Sequence, residues 1–226
     1  MKPHTNQLTS VINQLREMIL QGRLPPAGRV TEAELAGQLG VSRTPIRQAL
    51  PALAQEGLLV AAGKRGYAVR VFTLEQTRQA LHLRALLEGV AARTLAEQGA
   101  APALLAELKQ CLQQGDAIFT ARTLAEGAEL LYAQMNQRFH QLIIDAANNP
   151  LLSALIARCN VVPFTAPLNI VFASVSKDRT FDLLFCAHNQ HHNIVQAIEH
   201  RQPDRAEHLF REHAHAQEQS QALLQG

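Results

Sequence analysis

Leu8, Val11, Ile12, Leu15, Ile19 and Leu20 recur at helical spacing, which predicts a first helix over 8–21, closed by Gly22. Pro25-Pro26-Ala27-Gly28 reads as a turn. Thr31, with Glu34 three residues on, forms a capping box that opens a short helix over 32–39, and Gly40 ends it. Ser42 then caps a third helix, with Pro45 in its first turn, where a missing N–H costs nothing. Two helices joined by Gly40-Val41-Ser42 read as a helix-turn-helix. The β-rich runs Leu58–Ala61 and Tyr67–Val71 flank Gly63-Lys64-Arg65-Gly66, a hairpin with a basic tip, or wing.

From Thr73 onward the period is helical throughout. Thr73-Leu74-Glu75-Gln76 is a second capping box, so the linker after Phe72 is short. Helices are predicted over about 74–98, 102–114, 122–147, 150–161, 178–200 and 203–223, with Gly99, Gly115, Pro150 and Pro203 as punctuation. The stretch 161–176, with Pro163 and Pro167, is the least regular and reads as a helix broken by a loop. The expected fold class is mostly α. An N-terminal winged helix-turn-helix (1–72) with a small β-hairpin is followed by an all-α antiparallel helical bundle (73–226).

Composition sharpens this picture. The 226 residues are 47% hydrophobic and 18% charged, enough apolar material for packed cores. No apolar run approaches the roughly 18 residues of a membrane span, and the first residues lack a signal-peptide core, so the expected location is the cytoplasm. Cys111, Cys159 and Cys186 are odd in number and far apart, which excludes a disulfide framework and a CxxC metal motif. Residues 1–72 hold nine Lys or Arg against four Asp or Glu, net +5; residues 73–226 hold twelve against fifteen, net −3. A basic head on a slightly acidic body suits a polyanionic partner for the head alone.

The head carries the chemistry for that partner. Arg43, Thr44 and Arg47 occupy the first turns of the third helix, and Arg43 and Arg47, four apart, share a face. An arginine can bind guanine O6 and N7 with two hydrogen bonds, and Thr44 can bond a phosphate or touch a thymine methyl. Lys64 and Arg65 at the wing tip can grip phosphates or enter the minor groove. A helix-turn-helix of this kind is expected to bind a palindromic double-stranded DNA operator as a two-fold homodimer. Pro51 removes one hydrogen bond from the recognition helix and predicts a kink beyond its DNA-reading turn.

The body holds nine of the ten histidines. Asn136 and His140 share a helix face, His191 lies in the next-to-last helix and His213 in the last. Histidines on three inward faces of a bundle can converge on a metal or serve as satisfied polar core residues; spacing leaves both open. His188, one turn before His191, could share its face, but it is expected, with His192, His200, His208 and His215, at or near the surface. Arg84 reads as an i,i+4 salt-bridge partner of Glu88. There is no HExxH, GxSxG or P-loop motif, and Asp145 falls off the face of His140, so an enzyme is not expected.

The run Pro26-Ala27-Gly28-Arg29-Val30, then Glu34-Leu35-Ala36, Leu39 to Leu50, Leu53, Glu56-Gly57-Leu58 and Arg65-Gly66, resembles the GntR family of bacterial regulators. That resemblance implies that Arg43, Thr44 and Arg47 contact DNA and that Gly66 lets the wing approach the backbone. Arg84 to Glu88, Ala91-Ala92, Asn136 to His140, Asn149 to Leu152, His191 before Ile194, and Arg211-Glu212-His213 resemble the FCD effector-binding domain of the FadR subfamily. It implies a divalent metal (Zn, Ni or Mn) on His140, His191 and His213, with Asn136 where the family places an Asp. A small carboxylate effector, assisted by Arg84, would take an open position on that metal. The implied function is a transcription regulator, in the family usually a repressor relieved by ligand. The alternative is a metal-responsive regulator in which the metal itself is the signal.

Overall fold

Thr31 caps the first helix of the helix-turn-helix through its hydroxyl, the Thr31 half of the expected capping box. In the computed structural model, which describes residues 3–20, 22–63, 66–121, 123–162 and 177–222, the Thr31 hydroxyl accepts from the Glu34 backbone N–H at 3.3 Å. It also donates to the Glu34 carboxylate at 2.7 Å. The chain divides into two compact units, 1–73 and 74–226.

In the first unit, helices α1 (Pro3–Leu20), α2 (Glu32–Leu39) and α3 (Arg43–Gln55) enclose a core that includes Val11, Leu15, Leu35, Ile46, Ala49 and Leu53. α1 begins earlier than the apolar period suggests. Gly40 closes α2 in the left-handed conformation (φ 64°), donating its N–H to the Ala36 carbonyl. Ser42 sits at the N-cap of α3, but its side chain makes no capping hydrogen bond. α3 continues past Pro51 to Gln55 as one helix. Arg16 of α1 grips the Glu56 carboxylate with two hydrogen bonds of 2.9 and 2.7 Å. The wing is β2 (Leu59–Ala61) and β3 (Tyr67–Val69), antiparallel, with Val60 opposite Ala68. A third strand, β1 (Arg29–Val30), pairs with β3 and completes the order β1-β3-β2. Two residues are too few to give an alternation signal, so β1 had no trace in the sequence pattern.

The second unit is built from α4 (Leu74–Gln98), α5 (Pro102–Ile118), α6 (Ala128–Ala146), α7 (Pro150–Cys159), α8 (Lys177–Glu199) and α9 (Pro203–Ala222). α4 packs along α9, where Gly89 permits close approach: a Cβ there would stand 3.0 Å from the Glu207 carbonyl oxygen. Ala92, Leu108, Phe139, Ile143, Ile194, Ile198 and Phe210 lie in the core. Gly99 ends α4 with φ 85°. Gly115, in contrast, does not end α5, which runs on to Ile118. α6 starts at Ala128, after Gly127, and not near residue 122. Most of the stretch read as a broken helix, 163–176, lies outside the described residues.

Candidate functional site

In the head, α3 carries three of the candidate contacts. Arg43, Thr44 and Arg47 are all exposed on α3, while Ile46, Ala49 and Leu50 of the same helix face inward. Arg47 is not idle: its guanidinium donates to both carboxylate oxygens of Glu32 at the start of α2, at 2.9 and 2.7 Å. That hydrogen bond is the main reason the Glu32 carboxyl is held below its ordinary range. A groove of about 710 Å³ lies between α3 and the wing, lined in part by Arg29, Glu32, Arg47, Pro51 and Gly66.

Arg29 is the residue that sequence reasoning passed over as a cation of this surface. It projects from β1 and donates to the Ala62 carbonyl at 3.2 Å, just past the end of β2 on the tip side of the wing. A Cβ on Gly66 would meet the Ala62 oxygen at 3.3 Å and the Arg29 side chain at 3.7 Å, so glycine keeps this corner tight. Lys64 and Arg65 lie outside the described residues.

In the body, α6, α8 and α9 bring His140, His191 and His213 together. One ring nitrogen from each lies within 4.8 Å of the others, and all three residues are buried. Nε2 of His191 and Nε2 of His213 are 3.1 Å apart. Phe139 tilts over His191 at 4.2 Å between ring centroids, and Phe210 meets His140 edge-on at 5.5 Å. Asn136, one turn before His140 on α6, is buried as well. Asp145 is exposed and accepts from Gln141, away from the cluster.

The tautomers follow from the outer contacts. Nδ1 of His140 bonds the ionised Glu88 carboxylate at 3.0 Å, so it carries the proton and leaves Nε2 with a lone pair. Nδ1 of His213 faces Oε1 of Gln190 at 3.0 Å, which likewise directs its proton outward and its Nε2 lone pair inward. Burial, then repulsion from neighbouring imidazoles, pushes His191 well below the usual histidine range. Burial, then His140, does the same to His213. The His191–His213 contact then uses the Nε2 proton of His191, which must pass to its Nδ1 before that ring can ligate a borderline metal ion beside the inward lone pairs of His140 and His213.

Hydrogen bonding within the cluster does not use every donor and acceptor. Nε2 of His140 and Nδ1 of His191 are buried and have no hydrogen-bond partner among the described residues. The donor set therefore fits a divalent ion.

Glu88 was visible in the sequence only as a partner of Arg84, and its larger role was missed. Arg84 Nε stands 3.4 Å from Glu88, with both side chains 2% exposed. Burial alone would raise the Glu88 carboxyl, but Arg84 and His140 outweigh it and hold the group at about 2. Arg84 is thus engaged in the ion pair, the first of its two readings. His188 is a correction: expected near the surface, it is 1% exposed. Its Nε2 bonds Oδ1 of Asp116 at 2.9 Å, and Nε2 of the partly exposed His192 bonds the same oxygen at 2.8 Å.

Comparison with known proteins bears on the family and the fold. The family model for bacterial regulatory proteins of the gntR family matches residues 8–69, and the FCD domain model matches residues 79–216. The chain is 31% identical over 213 residues to a probable D-xylose utilization operon transcriptional repressor of Paenarthrobacter nicotinovorans, covering 92% of this chain and 87% of that one. It is 32% identical over 158 residues to the uncharacterized HTH-type transcriptional regulator YdhC of Bacillus subtilis, covering 70% and 68%. Its fold resembles that of E. coli McbR/YncC, with a TM-score of 0.70, 24% identity and 96% coverage of each chain. Among the described residues, no helix is long and apolar enough to cross a membrane.

Proposed function

Because the chain belongs to the bacterial gntR regulatory family and carries an FCD domain as its helical body, we propose that it is an operator-binding repressor released by a small carboxylate effector held on a divalent metal. At the coarser level it is a GntR-type transcription regulator and not an enzyme. Arg43, Thr44, Arg47, Lys64, Arg65 and Gly66 are the assigned DNA contacts, in a homodimer on a palindromic operator in the cytoplasm.

One observation carries the metal: His140 is oriented by buried Glu88 so that an unpartnered Nε2 is left beside His191 and His213. His140, His191 and His213 would hold the ion, with the Asn136 amide oxygen as a neutral fourth donor. Three imidazoles favour zinc or nickel over manganese. Bound there, the ion supplies a Lewis-acidic attachment point for a carboxylate. Glu88 keeps the proton on Nδ1 of His140, Gln190 accepts that of His213, and Phe139 and Phe210 shield the cluster. Arg84 contributes positive charge near the floor of the site while paired with Glu88.

The test begins with an operator selected from a random DNA pool. DNA affinity is then titrated with small mono- and dicarboxylates, with and without zinc or nickel. The expected result is release from the operator by a carboxylate only when metal is present, in wild type but not in His213→Ala. Equal release in the variant contradicts the reading. Control of DNA affinity by metal alone replaces it with the metal-responsive alternative.

A further inference from the structure

Gly115 and His188 form a contact that the effector cluster does not use. A Cβ on Gly115 would stand 2.1 Å from Cε1 of His188, so the bare backbone of α5 makes the seat for this ring. Phe119 lies over the same imidazole with centroids 5.5 Å apart, and Tyr132 meets it edge-on at 6.3 Å. His192, one turn further along α8, sets its ring edge-on to His188 at 5.0 Å. The two Nε2 atoms converge on one point, now filled by a single oxygen of Asp116.

We propose that Asp116, His188 and His192 form a second, solvent-open site for a divalent transition-metal ion, clasping α5 to α8. Two imidazoles four residues apart on one helix and a carboxylate from a neighbouring helix make a three-donor set, which leaves coordination positions to water. Their ligand atoms already lie within 4.8 Å of one another. His188 is fixed by Gly115 and Phe119, so one donor is pre-placed. Asp116 and His192 are 53% and 42% exposed, so they can shift to admit an ion between the two nitrogens and the carboxylate. Binding exchanges two N–H···O hydrogen bonds for metal ligation, each imidazole then carrying its proton on Nδ1.

This site is separate from the buried cluster. α8 presents His191 to His140 and His213, and His188 and His192 to α5. An ion here would stiffen the helix that carries His191 without touching His140 or His213. It would bind more weakly than one in the buried cluster, because water competes for its exposed donors.

Cobalt(II) titration of the dialysed full chain tests the proposal, since visible absorption of the bound ion reports imidazole ligation. Wild type should bind about one equivalent more than His192→Ala, displaceable by zinc. Asp116→Asn, which keeps an oxygen for both hydrogen bonds, should weaken that equivalent about tenfold or more. In His140→Ala the same equivalent should persist and raise the melting temperature, an effect that His192→Ala abolishes. Equal cobalt binding by wild type and His192→Ala overturns the site. Loss of metal in His140→Ala that is indifferent to His192 concerns only the buried cluster, so failure of the two readings is distinguishable.

Discussion

Arg47 lies on Glu32 at the surface of the N-terminal unit, while Arg84 lies against Glu88 in the interior of the C-terminal unit, with side-chain exposures of 70% and 2% for the two arginines. The same pair of charges does different work in the two places. In water the Arg47 pair contributes little to stability and exchanges readily, so phosphate or a guanine edge can take the place of Glu32. In the core the Arg84–Glu88 pair is locked, because removing one partner leaves the other charge buried without its counter-ion. Glu88 passes that constraint to His140, whose ring it orients. A reading surface needs exchangeable partners, and a ligand-holding cluster needs fixed ones.

Breaking the buried pair should have the largest effect. Glu88→Gln is expected to destabilise the chain by about 3–5 kcal/mol, read as a drop in urea midpoint. The double variant Arg84→Met/Glu88→Met should recover much of that loss, because no uncompensated charge remains. If Glu88→Gln costs no more than a surface substitution, the contrast between the two pairs collapses.

Acid should act on the same unit. In metal-free protein His191 and His213 are held below the ordinary value of 6.5, chiefly by burial. The unfolded chain therefore binds protons first, and stability present above about 6.5 is lost as pH falls below it. Glu88, held at about 2 against an ordinary 4.5, adds a second loss that begins below about 4.5. Urea midpoints from pH 8 to 4 should fall in that order. A flat profile between pH 7 and 5 would mean that the imidazoles are not buried in their neutral form.

At the surface pair, Arg47→Ala should lower affinity for a selected operator about tenfold to a hundredfold, with a much smaller change on random DNA. Equal losses on both would make Arg47 a phosphate contact. The smallest effect is expected from Glu32→Gln, which frees Arg47 from its resting partner. Operator binding should tighten about two- to fivefold in low salt, read by fluorescence anisotropy, with no change in urea midpoint. Weaker binding would show that Glu32 positions Arg47 for DNA and does not compete with it.

The head was legible because its signals are local. Thr31 and Glu34, Gly40 and the β-rich runs around the wing each act within a few residues of themselves, so sequence order carries them. What escaped was β1, two residues long and defined only by pairing with β3. In the body the three histidines could be named one by one, but their convergence depends on how α6, α8 and α9 pack. Glu88 is 52 residues from His140 in the chain, and no helical period links them. Gly115 misled for the opposite reason: glycine commonly ends helices, but here it makes room for His188 inside one.

The most direct test of the account is the metal content of exhaustively dialysed, untagged protein, wild type beside His140→Ala. About one tightly held zinc or nickel per chain in the wild type, lost in the variant, is the predicted result, the weaker Asp116/His188/His192 site being emptied by the dialysis. A wild type that, soaked in either ion and dialysed again, retains no more metal than His140→Ala would contradict it. The helical body would then have to recognise its effector through protein side chains alone.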